Sequence, residues 1–220
     1  MRCAVNLLLD PSLVLYLPLY ELDGSPIMSR EAYGRPGTVT GAIWTPRGES
    51  FDGIDDRVTV ADASAGALYP AEFTWEFWAN PADFSAIRAL LGSVNASPYR
   101  PWECHLSLTT GRIFFALRQS DDGQPSLTVT DITPAADTWN HIVVTGDGTT
   151  LKGYLNGQQS IDTASYDGTL SSVSRQPNML GVTRGARWML GTVGEVRLYN
   201  RALTLSEIQN NRLVTKWRYR

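Results

Sequence analysis

The residues of this chain that are able to do chemistry fall into a few groups, and acids are the first. Asp52, Asp55 and Asp56 crowd one turn. Clustered carboxylate oxygens suit a hard cation such as calcium, and Asp side chains that cap their own turn explain the same letters. Rings beside guanidinium groups form the second group, in Tyr99-Arg100-Pro101-Trp102 and in Arg184-Gly185-Ala186-Arg187-Trp188. A ring stacks on a sugar face while Arg donates charged hydrogen bonds to hydroxyls or acids; rings so placed also pack loops onto a sandwich edge or form subunit contacts. The third group is the basic, aromatic tail Lys216-Trp217-Arg218-Tyr219-Arg220. Trp217, Arg218 and Tyr219 are candidates for a contact with a neighbouring subunit, the alternative being a tail held by its own domain. Two cysteines, Cys3 and Cys104, and two histidines, His105 and His141, lack CxxC or HxxxH spacing, so a closed zinc site is not expected. A Cys3–Cys104 bridge and two free thiols both remain open. There is no nucleophile elbow, no phosphate-binding glycine loop and no HExxH.

Short strands must position these groups. Val14–Leu17, Val58–Val60, Phe73–Trp78, Arg112–Arg118, Leu127–Val129, His141–Thr145, Leu151–Leu155 and Glu195–Tyr199 are β-branched or aromatic runs separated by Gly, Asp, Asn and Pro clusters. That pattern predicts an all-β, antiparallel two-layer architecture and excludes parallel α/β folds. Asn156-Gly157 predicts a hairpin, because both residues tolerate the positive φ of a primed turn. Phe73, Trp75 and Phe77 share one strand face, with Trp139, Ile142 and Val144 expected in the opposing layer and Phe51 and Val58 flanking an Asp-rich hairpin. One short helix is expected near the end, where Thr204-Leu205-Ser206-Glu207 spells a capping box and Leu205, Ile208 and Leu213 fall near one face.

Size and composition set the remaining bounds. With 220 residues, 43% hydrophobic and 19% charged, the chain can bury a core without staples and is expected to be a single domain over residues 1–220, with its core at about 13–213. A formal net charge of −3 provides no footprint for nucleic acid. No apolar run approaches the ~18–20 residues that span a bilayer, so membrane insertion is not expected. The stretch Cys3–Leu9, interrupted by Asn6 and stopped by Asp10-Pro11, reads poorly as a signal peptide.

Three segments in order carry a resemblance. They are Phe51-Asp52-Gly53-Ile54-Asp55-Asp56-Arg57-Val58-Thr59-Val60 followed by Phe73–Pro81; Trp139-Asn140-His141-Ile142-Val143-Val144-Thr145 followed by Asp147-Gly148 and Leu151–Gly157; and Gly191–Thr204 followed by Glu207-Ile208. Together they resemble the laminin-G-like jelly-roll domain of the concanavalin A-like lectin/glucanase superfamily, over about residues 13–213. The resemblance implies a sandwich of two curved antiparallel sheets whose first and last strands pair, and it implies a framework role for His141. The family often has Asp immediately before the Glu-Val-Arg run, where this chain has Gly194. Asp23, Asp52 and Glu195 remain as candidate calcium ligands, and no cofactor is required. The superfamily's β-glucanases carry paired carboxylates at i and i+4 of one strand. Here the positions after Glu76 are Trp78 and Asn80, so enzymatic activity is not expected.

The leading expectation is a non-enzymatic binding or structural module on a virion or other assembly surface, engaging host glycans and associating with its own kind. The lack of an evident export signal motivates that location, a cytoplasmic one being the alternative. Tyr99, Arg100, Trp102, Arg184, Arg187 and Trp188 are the glycan- or partner-binding candidates. A free lectin-like carbohydrate-binding protein is the second reading. A divergent glycoside hydrolase using Glu76 with Glu103 is the third.

Overall fold

The computed structural model describes residues 10–22, 24–60, 68–92, 102–170, 178–183 and 187–220. In chain order the strands are β1 (Leu13–Leu17), β2 (Ile27–Met28), β3 (Pro36–Thr40), β4 (Ile43–Thr45), β5 (Gly48–Asp52), β6 (Arg57–Val60), β7 (Glu72–Pro81), β8 (Arg88–Gly92) and β9 (Trp102–Leu106). They continue with β10 (Ile113–Leu117), β11 (Ser126–Thr128), β12 (Asn140–Asp147), β13 (Thr150–Leu155), β14 (Gln158–Ser165), β15 (Asn178–Leu180), β16 (Val182–Thr183), β17 (Arg187–Trp188) and β18 (Leu190–Tyr199), before helix α1 (Leu205–Thr215). One sheet runs β14-β13-β12-β7-β18-β5-β4 with β1 also on β18; the other runs β11-β10-β9-β8-β15-β6-β3-β2, and β16 pairs β17 alone. All pairings are antiparallel, and β1 on β18 is the expected pairing of the first and last strands.

Alternation builds the core. Phe73, Trp75 and Phe77 of β7 point between the sheets and meet Trp102 and Phe115 of the second sheet. The Phe73 and Trp102 rings lie 4.8 Å apart edge to face, and Trp75 and Trp102 6.1 Å apart. Burying each such ring contributes about 2–3 kcal/mol. Two expectations need correction. Ile142 and Val144 lie in β12, which pairs with β7, so they belong to the same sheet as Phe73 and Trp75. Trp139 is only half-buried and packs on Tyr219 at 4.6 Å. Phe51 and Val58 are both in the core, but β5 and β6 belong to different sheets, so residues 52–56 form a corner between layers rather than a hairpin. The Asn156-Gly157 turn is as expected, with φ of 53° and 80° joining β13 to β14.

A second, smaller core lies on the outer face of the first sheet, where Leu13, Tyr16, Val143, Tyr154 and Tyr199 meet Leu203 and Ile208. The capping box of α1 forms: Glu207 N donates to Thr204 Oγ1, and Thr204 N donates to Glu207 Oε2 at 2.8 Å. Such a cap is worth about 1 kcal/mol. Arg201 donates to Glu207 and to Asp10, tying the helix start to the strand below and pulling the Glu207 carboxyl down to about 2. The buried face differs from the one the apolar spacing predicts. Ile208, Asn211 and Thr215 are covered, while Leu205 and Leu213 are exposed. The polar members of that face are needed because the sheet beneath carries charge.

Candidate functional site

At one end of the sandwich three connections converge. The β7–β8 loop contributes Ser85, Ala86 and Ile87 and leads into Arg88; the β9–β10 turn contributes Leu108; the β16–β17 hairpin contributes Arg187 and Trp188, with Gly53 of the corner completing a cavity of about 330 Å³. That volume lies at the lower end of the range for small-ligand sites. The hairpin rests on β8 and β9. The turn is fastened to the neighbouring loop, since Thr109 N donates to the Phe84 carbonyl at 2.7 Å. Gly111 permits this approach: a Cβ there would fall 2.5 Å from the Phe84 ring, and its φ is 64°.

Both guanidinium groups are braced. Arg88 donates to Asp83 through Nε at 3.1 Å and also through Nη2, which reaches Ser85 Oγ at 3.1 Å. Arg187 donates from Nη1 to Glu103 Oε1 at 2.8 Å, and His105 Nδ1 lies 3.0 Å from the same oxygen. The Trp188 ring is half-buried and Leu108 is exposed. The cavity therefore offers an apolar, ring-lined wall next to fixed donors, which can take a sugar's C–H face and its hydroxyls or acid together.

Of the residues singled out in the sequence, the structure brings Arg187 and Trp188 into this cavity. Trp102 is not with them. It is a β9 residue, 1% exposed, in the central core, so it packs edge to face against Phe73 and Trp75 rather than on a ligand. Tyr99, Arg100, Arg184 and Asp23 lie outside the described residues. Arg88, Leu108, Ser85 and Gly53 escaped the sequence reading, because their convergence comes from three separate connections and leaves no local mark. Cys104 is a buried free thiol; Cys3 lies outside the described residues.

Of the candidate calcium ligands among the described residues, Asp52 and Glu195 lie apart. Asp52, Asp55 and Asp56 present oxygens within 4.8 Å of one another, but these cap their own corner. Asp52 Oδ1 accepts from Ile54 N at 2.8 Å, and Asp56 Oδ2 accepts from Asp52 N at 2.7 Å. Glu195 is elsewhere, buried on the outer face of the first sheet. Its Oε2 accepts from Tyr16 Oη at 3.0 Å and lies 3.1 Å from Arg197 Nη2. Beside the corner, buried Glu49 is pushed up to about 7 by its burial and by the charge of Asp56.

Glu195 belongs to a network sealed under α1 and the tail. Glu76 Oε1 is 2.7 Å from His141 Nε2 and accepts from Arg197 Nη1 at 3.2 Å, and Glu76 Oε2 accepts from Asn211 Nδ2 at 3.0 Å. Burial pushes the Glu76 carboxyl up, yet Arg197, His141 and Asn211 together hold it below the usual carboxylate range. Burial opposes the Arg197 charge, and Glu195 with Glu76 more than offsets it, so the guanidinium stays protonated. The hydrolase pair is ruled out by placement. Phe77 and Trp75 face inward, so Glu76 faces outward from the first sheet; Trp102 and Cys104 face inward, so Glu103 faces outward from the second. The whole core separates them.

The tail is split in its roles. Tyr219 is buried, with its ring 4.6 Å from both Trp78 and Trp139, which removes it as an assembly contact. Arg218 lies over the Tyr20 ring at 3.7 Å, whereas Trp217 is 61% exposed. Gly194 is explained by this packing. A Cβ there would stand 2.3 Å from the Tyr219 ring, so the Asp that the family often has at this position has no room.

Two antiparallel sheets with paired first and last strands define the class as an all-β jelly-roll sandwich. A laminin-G family model, described as the concanavalin A-like lectin/glucanases superfamily, matches residues 52–209, and the chain belongs to that family. A comparison with curated proteins gives no match. Among solved structures, the chain is similar to the binding domain of Paraclostridial Mosquitocidal Protein 1, with a TM-score of 0.70 and 17% identity, over 91% of this chain and 51% of that one. It is similar to domain 4 of AbnA, a GH43 extracellular arabinanase from Geobacillus stearothermophilus, in complex with arabinotriose, with a TM-score of 0.68 and 16% identity over 90% and 97% of the two chains. It is also similar to the botulinum neurotoxin serotype D ligand-binding domain in complex with N-acetylneuraminic acid, with a TM-score of 0.66 and 14% identity over 93% and 51%. At these identities the likeness is one of fold, and the chain spans about half the length of the two toxin structures. Among the described residues no helix is long and apolar enough to cross a membrane.

Proposed function

We propose that this chain is a non-enzymatic carbohydrate-binding module whose ligand sits in the rim cavity. The observation that carries the reading is the convergence there of the half-buried Trp188 ring, exposed Leu108 and the braced Arg187 on three fastened connections. Relatives of the same fold are seen with arabinotriose and with N-acetylneuraminic acid, which supports a saccharide as the ligand class. The non-enzymatic part rests on the carboxylates. Glu76 and Glu103 are buried on opposite outer faces, each committed to a guanidinium, and neither can reach a substrate shared with the other.

A glycan array probed with the wild-type chain and with Trp188→Ala tests the reading. Saccharide binding that the variant loses by about tenfold or more is expected, since a ring stack is worth about 1 kcal/mol or more and brings the neighbouring donors into register. Binding that survives the substitution unchanged contradicts it.

A further inference from the structure

We infer that the saccharide taken by the rim cavity is acidic, a pyranose bearing a carboxylate that Arg187 receives. This rests on the carbohydrate-binding reading and adds the ligand's charge. Among the described residues the cavity wall includes Arg88 and Arg187 and no acidic residue, although the chain as a whole carries a net −3. The two ion pairs behind the wall are not equivalent. In the Arg187–Glu103 pair the guanidinium side chain is 29% exposed and the carboxylate only 3%. The pair therefore turns its positive end to solvent and hides its negative one. Arg88 is the reverse, a largely covered cation neutralised by a 45% exposed Asp83 that lies outside the described cavity wall, so the accessible positive charge is that of Arg187.

A guanidinium is a planar fork of five donors, and Glu103 meets Arg187 at one nitrogen. Fork geometry matches a carboxylate with two parallel hydrogen bonds, a charge-assisted contact about twice as strong as one to a neutral hydroxyl. Glu103 fixes the group in place before a ligand arrives, so little side-chain freedom is left to lose on binding. The Trp188 ring beside it offers a flat apolar face for the pyranose to lie on. A neutral sugar would use the ring and leave the solvent-facing side of the Arg187 guanidinium without a second carboxylate beyond Glu103.

Isothermal titration with two acidic and two neutral probes tests this: digalacturonic acid and 3′-sialyllactose against galactobiose and lactose. At least one acidic probe is expected to bind about tenfold more tightly than its neutral counterpart, and the two acidic probes separate a uronate from a sialate as the source of the carboxylate. Arg187→Gln should cut acidic binding about tenfold and neutral binding by a clearly smaller factor, while the acidic loss in Arg187→Lys, which keeps the charge and loses the fork, falls between. Because Arg187→Gln also strips Glu103 of its partner, the wild-type chain is titrated in parallel at low and high salt. Acidic binding should weaken several-fold and neutral binding hold steady. Equal affinity for acidic and neutral members, insensitive to salt, overturns the acidic inference and leaves the carbohydrate reading standing. No binding to any of the four, or binding unchanged by Trp188→Ala, overturns both.

Discussion

Two regions of this molecule are built from the same side chains and put them to opposite uses. On the outer face of the first sheet, Glu76, His141, Arg197 and Glu195 sit beside Trp78, Tyr199 and Tyr219, and all are covered by α1 and the tail. At the rim, Arg187, Arg88 and Glu103 sit beside Trp188, and the cation and the ring reach solvent. Carboxylate, guanidinium, imidazole and indole are present in both. What separates them is closure. Under α1 each charged group has a protein partner, with Asn211 donating to Glu76 and Thr215 accepting from the Trp78 indole, although Glu195 Oε1, Arg197 Nε and His141 Nδ1 are buried without a hydrogen bond. The network therefore fixes how the helix docks; the cavity beside it, lined by Tyr199, Arg201, Leu203 and Asn211, does not include Glu76, His141, Arg197 or Glu195, which stay covered. At the rim the carboxylate is hidden and the cation is not, leaving recognition capacity unspent.

The sharpest way to break this contrast is to remove one member of the sealed network. Glu76→Ala leaves Arg197 and His141 buried without their shared acceptor, and is expected to cost about 3–5 kcal/mol in a denaturant titration. Saccharide affinity of the fraction that remains folded should be unchanged. Gly194→Asp should cost about 2 kcal/mol by driving the Tyr219 ring from its place. Combining it with Tyr219→Ala should cost less than the sum of the two single changes, since the second opens the room the first needs.

Next in size is a charge in neither region. Glu49 is held protonated up to about 7, above its ordinary 4.5. The folded chain thus binds more protons than the unfolded one across that interval. The stability this confers is full below about pH 4.5 and is lost as pH rises through 7. Glu49→Gln should therefore stabilise the protein by about 1–2 kcal/mol at pH 8 and leave it nearly unchanged at pH 4, read from melting curves at the two values. The smallest effect on stability belongs to the rim, where Trp188→Ala should cost about 1 kcal/mol or less while saccharide binding falls about tenfold.

Much of the fold was legible in the sequence because local rules and tertiary structure agree there. The period-two rings of Phe73-Thr74-Trp75-Glu76-Phe77 give β7, Asn156-Gly157 gives the β13–β14 turn, and Thr204 with Glu207 gives the helix start. Legibility failed where polar residues are buried. Trp102 closes the ring-and-guanidinium run Tyr99-Arg100-Pro101-Trp102, which reads as a binding loop; it opens a strand whose Glu103 is buried and held by Arg187. The helix was placed correctly but turned wrongly, because its covered face answers Glu76 rather than an apolar core. Two of the eight residues of the candidate cavity were visible in Arg187-Trp188. The identical signature at Trp102 marks the core, and nothing within either segment tells them apart.

The most direct test of the account is a titration of the isotope-labelled chain with the tightest-binding saccharide, followed by amide and indole chemical shifts. The account predicts that perturbed signals gather at Gly53, Ser85, Ile87, Leu108, Arg187 and the Trp188 indole, with His141, Asn211 and Tyr219 still. Shifts centred instead on the other exposed rings, Trp44 and Trp217, would contradict it.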